Sequence, residues 1–131
     1  MKQLIVVLAF IALGLTSAKA QTSFSCSYRT YCDWNEEKEI FEDCEGYDES
    51  SLFVMNASET MFTHTIETMK STYYVDSKEY DEVNDVYTYD VTSDVGNKYY
   101  YIFDPVNKQV RAVFLSDGKT IMLTFTVKAM F

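Results

Sequence analysis

The chain contains three cysteines that could form a disulfide: Cys26, Cys32 and Cys44. The alternation in residues 24–34 predicts one strand, which would separate Cys26 and Cys32 by about 20 Å. A disulfide needs Cα atoms within about 7 Å. The segment NEEKE is typical of a turn that brings Cys44 back along the strand. We therefore predict a Cys32–Cys44 disulfide, with Cys26 either a buried thiol or one that pairs between chains.

His64 is the only histidine, and it lies between Thr63 and Thr65. A zinc site made of protein ligands usually needs three or four, so we predict no metal site and no cofactor. A histidine-based hydrolase would need a nucleophile and an orienting acid, and the sequence marks neither. We predict no catalytic residue, and a small hydrolase using His64 is the lowest-ranked hypothesis.

Acidic side chains form two clusters, within residues 36–49 and 76–85. Calcium takes carboxylate ligands from such segments, but neither cluster has the spacing of a calcium loop with its central glycine. We interpret both clusters as solvated acidic loops.

Charge is unevenly distributed along the chain. Residues 21–94 hold 4 basic and 18 acidic side chains, a net charge of −14, whereas residues 95–131 hold 5 basic and 2 acidic ones, a net charge of +3. We expect strands from the two segments to interleave, so that this asymmetry averages out. The acidic balance argues against nucleic acid as a partner.

The first twenty residues have the pattern of a signal peptide. Lys2 precedes an apolar run from Leu4 to Leu15, and Ala18-Lys19-Ala20 fits a small-x-small cleavage site. We therefore predict a secreted or periplasmic protein made of one domain, residues 21–131, without membrane insertion of the mature chain.

Period-two alternation dominates the rest of the chain and predicts strands. Turn signals such as Asp117-Gly118 divide residues 86–131 into a four-stranded meander. Residues 57–70 combine helical spacing with four threonines, and we interpret them as strand on propensity. The expected fold is all-β, with about eight short antiparallel strands in a curled sheet, a sandwich or an up-and-down barrel.

Such an architecture resembles the small calycin-type barrels, which hold one apolar ligand. The early Gly-x-Trp of lipocalins is absent, because Cys32-Asp33 precedes Trp34. The resemblance is therefore one of fold and implies no particular function.

Tyrosines are concentrated in the strands near 86–93 and 98–103. A two-residue Gly96-Asn97 turn would set Tyr99 opposite Asp94. It would place Tyr87, Tyr89, Val91, Tyr100 and Ile102 on a core face, and Tyr99, Tyr101 and Phe103 on the other face. A one-residue slip would exchange the two faces.

Tyrosine gives rigid contact area at little entropic cost, so these rings form either an ordinary half-wet sheet surface or a binding surface. We predict a non-catalytic binding module for a small apolar or aromatic molecule, or for a partner protein. The candidate binding residues are Tyr99, Tyr101, Phe103, Tyr87 and Tyr89. The alternative from another class is a structural or self-assembling exported protein, and the sequence does not fix the oligomeric state.

Overall fold

The chain folds as a closed barrel of eight antiparallel strands joined in chain order. The computed structural model describes residues 21–131, so the predicted signal peptide lies outside the described residues. The strands are β1 (Thr22–Asn35), β2 (Ile40–Met55), β3 (Met61–Ile66), β4 (Lys70–Asp81), β5 (Val86–Ser93), β6 (Lys98–Asp104), β7 (Gln109–Ser116) and β8 (Lys119–Met130). The all-β prediction with eight strands is confirmed, and so is the meander of β5 to β8. Within this range no helix is long and apolar enough to span a bilayer.

The ambiguous segment 57–70 contributes β3, which pairs with β2 and β4. Asn56 organises the turn before it, because its side-chain oxygen accepts hydrogen bonds from the amides of Thr60 and Met61. An asparagine that binds backbone amides in this way closes a turn instead of starting a helix. The strand interpretation is confirmed for residues 61–66.

Strand order also settles how charge is arranged around the barrel. Because β1 to β5 are neighbours in chain order, the acidic segment 21–94 forms one continuous wall. Strands β6 to β8, which carry the net positive charge, form the remainder. The expectation that the two segments interleave was therefore wrong, and the asymmetry persists in the folded chain.

Much of the first acidic cluster lies on a strand instead of in a loop. Strand β2 pairs with β1 along most of its length, from Ile40 opposite Asn35 to Met55 opposite Thr22. That ladder pairs one edge of β2 along its length, while β3 pairs with the other edge only from Ser51 to Met55. Most of the carboxylates of residues 42–49 stay at exposed positions. The second cluster likewise begins on β4 and ends in the turn 82–85. No group of three or more potential ligands across residues 21–131 is placed to hold a metal ion.

Cys32 and Cys44 form the predicted disulfide, with their Cα atoms 4.2 Å apart across the β1–β2 hairpin. Residues 36–39 form the expected turn. Cys26 is a free, buried thiol at 2% exposure, and burial raises its pKa to about 11. The thiol is therefore protonated at neutral pH and behaves as a small apolar side chain.

The β5–β6 hairpin differs from the predicted register. Four residues, 94–97, join the strands, and the Ser93 amide donates to the Asn97 carbonyl at 2.8 Å. The paired positions nearest the turn are Thr92 and Lys98, with five residues between them, so Tyr99 pairs with Val91 instead of Asp94, a shift of three residues. Because the shift is an odd number, it exchanges the two faces of β6.

The exchange turns into the barrel the three residues that were predicted to lie on the face away from the core, namely Tyr99, Tyr101 and Phe103. Tyr101 and Phe103 are each 2% exposed, and Tyr99 is half-buried. Tyr100 is instead 40% exposed on the outer face, together with Ile102, although both were predicted to lie in the core. Tyr89 and Val91 on β5 point inward as predicted.

A bulge at Ser27 changes the faces of β1 in the same way. Cys26 pairs with Val127 of β8 but Tyr28 pairs with Thr126, so two residues of β1 oppose one of β8. The alternation predicted for residues 24–34 is broken there. Arg29 lies on the inner face, and its guanidinium carbon is 5.7 Å from the ring centroid of Phe125.

Tyr28 now lies outside and covers the only glycine of β2. A Cβ at Gly46 would lie 2.3 Å from the Tyr28 hydroxyl oxygen and 2.6 Å from the ring. Glycine thus leaves room for a cross-strand aromatic ring, which shields the backbone that glycine exposes.

Aromatic rings fill the middle of the barrel. Phe53 lies 5.1 Å from Phe125, and Phe62 lies 4.9 Å from Tyr101 and 5.3 Å from Phe103, measured between ring centroids. An eight-stranded barrel is just wide enough for its inward side chains to meet. The central ligand cavity implied by the calycin resemblance is therefore occupied by side chains.

Two neighbouring tyrosines give a direct test of the β5–β6 register. We expect Tyr101→Ser to lower the free energy of unfolding by about 3–5 kcal/mol, because it leaves a cavity among packed rings. Tyr100→Ser should cost less than about 1 kcal/mol, because its side chain is on the outer face. Urea unfolding of both variants measures the difference, and equal costs would contradict this register.

The disulfide should stabilise the fold by roughly 3 kcal/mol through its closed loop. We expect reductant to lower the free energy of unfolding of the wild type to that of the Cys32→Ala/Cys44→Ala variant, which should itself not respond to reductant. Cys26→Ala is the control and should keep the full response. A wild type that is fully reduced by mass but equally stable would contradict the expectation.

Candidate functional site

The barrel has a recess at each end, and the predicted binding residues divide between them. We call the end beside Thr22 and the turn 56–60 the upper mouth, and the end beside Arg29 and His64 the lower mouth. Tyr87, Tyr89 and Phe103 line the upper mouth, whereas Tyr99 and Tyr101 line the lower one. The five residues therefore do not form one surface.

The upper mouth is a recess of about 350 Å³. Its floor is continuous with the core, because the Phe103 ring lies 5.2 Å from Phe24 and 5.5 Å from Tyr89. Apolar side chains form most of its wall, as is typical of small-molecule sites. The wall consists of Phe24, Met55, Ala57, Tyr87, Tyr89, Phe103, Pro105 and Met130.

Two half-buried carboxylates stand at the rim of the upper mouth. Glu59 lies in the turn before β3, and its Oε1 accepts a hydrogen bond of 2.9 Å from the Tyr89 hydroxyl. Its Oε2 is 3.4 Å from Nζ of Lys78. Asp85, which ends the turn before β5, accepts a 2.9 Å hydrogen bond from the Tyr80 hydroxyl. Burial, and then the contact with Glu59, raise the pKa of Tyr89, so this phenol stays a hydrogen-bond donor.

Tyr87 connects the rim to the wall of the upper mouth. Its ring lies 4.5 Å from that of Tyr80, and both tyrosines are at least partly solvent-accessible. Tyr87 also packs against the buried core cluster. A change at Tyr87 therefore alters the recess with less disturbance to the core than a change at Tyr89 or Phe103.

The lower mouth is smaller, about 230 Å³, and contains a half-buried cation. Arg29 lies between the rings of Tyr47 and Phe125, at 5.9 and 5.7 Å from their centroids. Its Nη1 is 3.4 Å from a carboxylate oxygen of Glu49, while its Nε is buried without a hydrogen-bond partner. The Glu49 carboxylate neutralises this guanidinium, so the lower mouth carries little net charge.

His64 lies against this cation and packs as an aromatic ring. It stacks on Phe53 with centroids 4.1 Å apart and meets Phe125 edge-on at 4.9 Å. Burial, and then the positive charge of Arg29, lower the pKa of His64 to about 4. The imidazole is therefore neutral at pH 7, and its low pKa makes it a weak base for the hydrolase hypothesis.

A wider groove of about 740 Å³ crosses the outer wall beside Tyr100 and Leu115. Lys98 reaches across it to Asp76 at 3.1 Å, and this contact is exposed. Exposed pairs of this kind contribute little binding or folding free energy. The groove is shallow by comparison with the ring-lined upper mouth.

Sequence reasoning missed both mouths for identifiable reasons. The contact between Glu59 and Tyr89 spans 30 residues, a separation that local patterns do not predict. The inward position of Arg29 depends on the bulge at Ser27, which no proline or glycine marks in the sequence. Asn56, whose side chain binds the amides of Thr60 and Met61, is the local feature that could have placed Glu59 in a turn beside the end of β2.

His64 should make stability depend on pH between about 4 and 6.5. The unfolded histidine takes a proton near pH 6.5 and the folded one near 4, so stability is complete above 6.5 and falls as the pH decreases. We expect the wild type to lose about 2 kcal/mol more than His64→Phe between pH 7.5 and pH 5.

Urea unfolding at the two pH values measures this difference. The other ionisable groups around His64 are Arg29, Tyr73, Tyr99 and Tyr101, and both proteins retain them, so their contributions cancel to first order. Glu49, which pairs with Arg29, is present in both proteins, so its contribution cancels to first order. The same pH dependence in both proteins would contradict the expected burial of a neutral imidazole.

Comparisons with known proteins leave the geometry as the basis for any functional argument. No protein-family model matches the chain, and neither a curated protein nor a solved structure is significantly similar to it.

Proposed function

We propose that this chain is an exported, non-catalytic binding protein whose upper mouth holds a small apolar or aromatic molecule. The observation that carries the proposal is the 350 Å³ recess walled by aromatic rings, with a few polar groups at its rim. Ligand pockets of proteins typically have about this size or more and this composition. Strands on opposite sides of the barrel supply the wall, so the recess is built by the rigid part of the fold.

The tyrosines support a small ligand better than a partner protein. The partner hypothesis rested on an exposed stripe of Tyr99, Tyr101 and Phe103, and these side chains point into the barrel. What remains accessible of the five candidate residues lies in concave recesses, where a small molecule fits better than a flat protein surface.

Export is supported by two independent features. The first twenty residues have the charge, apolar run and small-residue pattern of a signal peptide. The disulfide between Cys32 and Cys44 is typical of oxidising compartments outside the cytoplasm.

Binding of a neutral aromatic probe tests the proposal. We expect benzyl alcohol, titrated into ¹⁵N-labelled protein, to shift the amide resonances of residues 56–60 and 85–89. Tyr87→Ser should weaken this binding about tenfold, because it removes one ring from the wall.

Tyr99→Ser is the matched control, since it removes a half-buried tyrosine from the lower mouth instead. It should leave the affinity within about twofold of the wild type, while urea unfolding confirms that both variants fold. Equal losses in the two variants, or shifts that spread over the lower mouth alone, would contradict binding at the upper mouth.

A further inference from the structure

We propose that the upper mouth selects a cation, namely a protonated amine carried on an apolar or aromatic body. This inference rests on the proposed function and names the chemical class of its ligand. Two observations support it: carboxylates lie beside the aromatic wall of the recess, and the surrounding part of the barrel has a net negative charge.

The charged groups that line the upper mouth are of one sign. Among residues 21–131, its lining includes the carboxylates of Glu59 and Asp85 and no lysine, arginine or histidine. Both carboxylates are half-buried, so their field is less screened by solvent than that of fully exposed acids. An anionic ligand would be repelled here, whereas an ammonium group gains attraction from both.

Each carboxylate keeps acceptor capacity for a ligand. Glu59 accepts one hydrogen bond from Tyr89 and a long contact from Lys78, and Asp85 accepts one from Tyr80. An ionised carboxylate has about four acceptor sites, so an ammonium N–H can be added without displacing these partners. The hydrogen bonds from the two tyrosines hold the carboxylates in place before a ligand arrives.

Lys78 is the cation that already partners Glu59, and it is a weak competitor. Its Nζ is 3.4 Å from the nearest Glu59 oxygen, and half of its side-chain surface is exposed, at 51%. Exposed pairs of this kind contribute little free energy. Lys78 reaches Glu59 from β4 and does not line the recess, so the interior face of the carboxylate is left to the ligand.

The rings of the wall add a second attraction for a cation. Tyr87, Tyr89 and Phe103 line the recess beside the carboxylates, and an ammonium group is attracted to the face of a tyrosine or phenylalanine ring. The apolar body of the ligand would then bury against Phe24 and Met130. This arrangement favours an amine with an aromatic or aliphatic substituent over a metal ion or a bare ammonium.

The wider charge distribution favours the same sign of ligand. Glu59 and Asp85 both belong to the segment 21–94, which carries a net charge of −14 and forms a continuous wall of the barrel. A negative wall raises the local concentration of cations and their rate of association.

Three probes of similar size and different charge test this inference: benzylamine, which is protonated at pH 7, benzyl alcohol and benzoate. We expect benzylammonium to bind the wild type about fivefold to tenfold more tightly than benzyl alcohol, and benzoate to bind most weakly. Raising the salt concentration should reduce the preference for the amine, because part of it is electrostatic.

Two variants locate the source of the preference. Glu59→Gln should bring the affinity for benzylammonium down to that for benzyl alcohol, whereas Lys78→Gln should raise it by removing the competing cation. Glu36→Gln removes the same charge from the hairpin turn at the opposite end and is the control, which should change the affinity by less than twofold. Chemical-shift mapping in each titration reports whether the probe occupies the upper mouth.

The outcomes separate the two proposals. If benzyl alcohol binds in the upper mouth as tightly as benzylammonium, or if Glu59→Gln leaves the preference for the amine unchanged, cation selection is wrong and the proposed function stands. If none of the three probes shifts the upper-mouth resonances up to its solubility, the proposed function fails and this inference fails with it.

Discussion

Closure of eight antiparallel strands in chain order is the constraint on which the rest of this structure depends. A barrel of this strand number has an interior about one side chain deep from each wall, so rings from opposite strands meet at its axis. Phe53, Phe62 and Phe125 are at most 1% exposed there. Space for another molecule is left where the strands end, which is why both recesses lie at the mouths.

The same closure decides where charge and polarity are found. Because the strands are neighbours in chain order, the acidic segment 21–94 stays together. The uneven distribution of net charge along the sequence therefore becomes an uneven distribution around the barrel. At the upper end this brings turns 56–60 and 82–85 beside the aromatic wall. Glu59 and Asp85 thereby reach the same recess, although 26 positions separate them in sequence.

Local signals predicted the strands and most turns. Which side chains point into the barrel depended on the numbers of residues in one turn and one bulge, and the sequence does not mark these numbers. Asp117-Gly118 closes β7 onto β8 with both residues at positive φ, as such a pair should. The Cys32–Cys44 pairing followed from strand length, which separates Cys26 from Cys32, together with the NEEKE turn. By contrast, the five residues between the paired Thr92 and Lys98 and the extra residue of the bulge at Ser27 are odd counts. An odd count moves the side chains that follow it to the opposite face.

The number of tyrosines has a physical origin in this geometry that does not require a recognition surface. A phenol needs a partner for its hydroxyl, which a short barrel provides only near its ends. Tyr89 illustrates this, with a ring in the core and a hydroxyl that reaches Glu59 at the rim. Each such residue fixes a polar group at a mouth by means of a ring packed in the core. Substituting the ring would loosen the carboxylate, so binding chemistry at the rim and packing of the core are coupled through the same side chain.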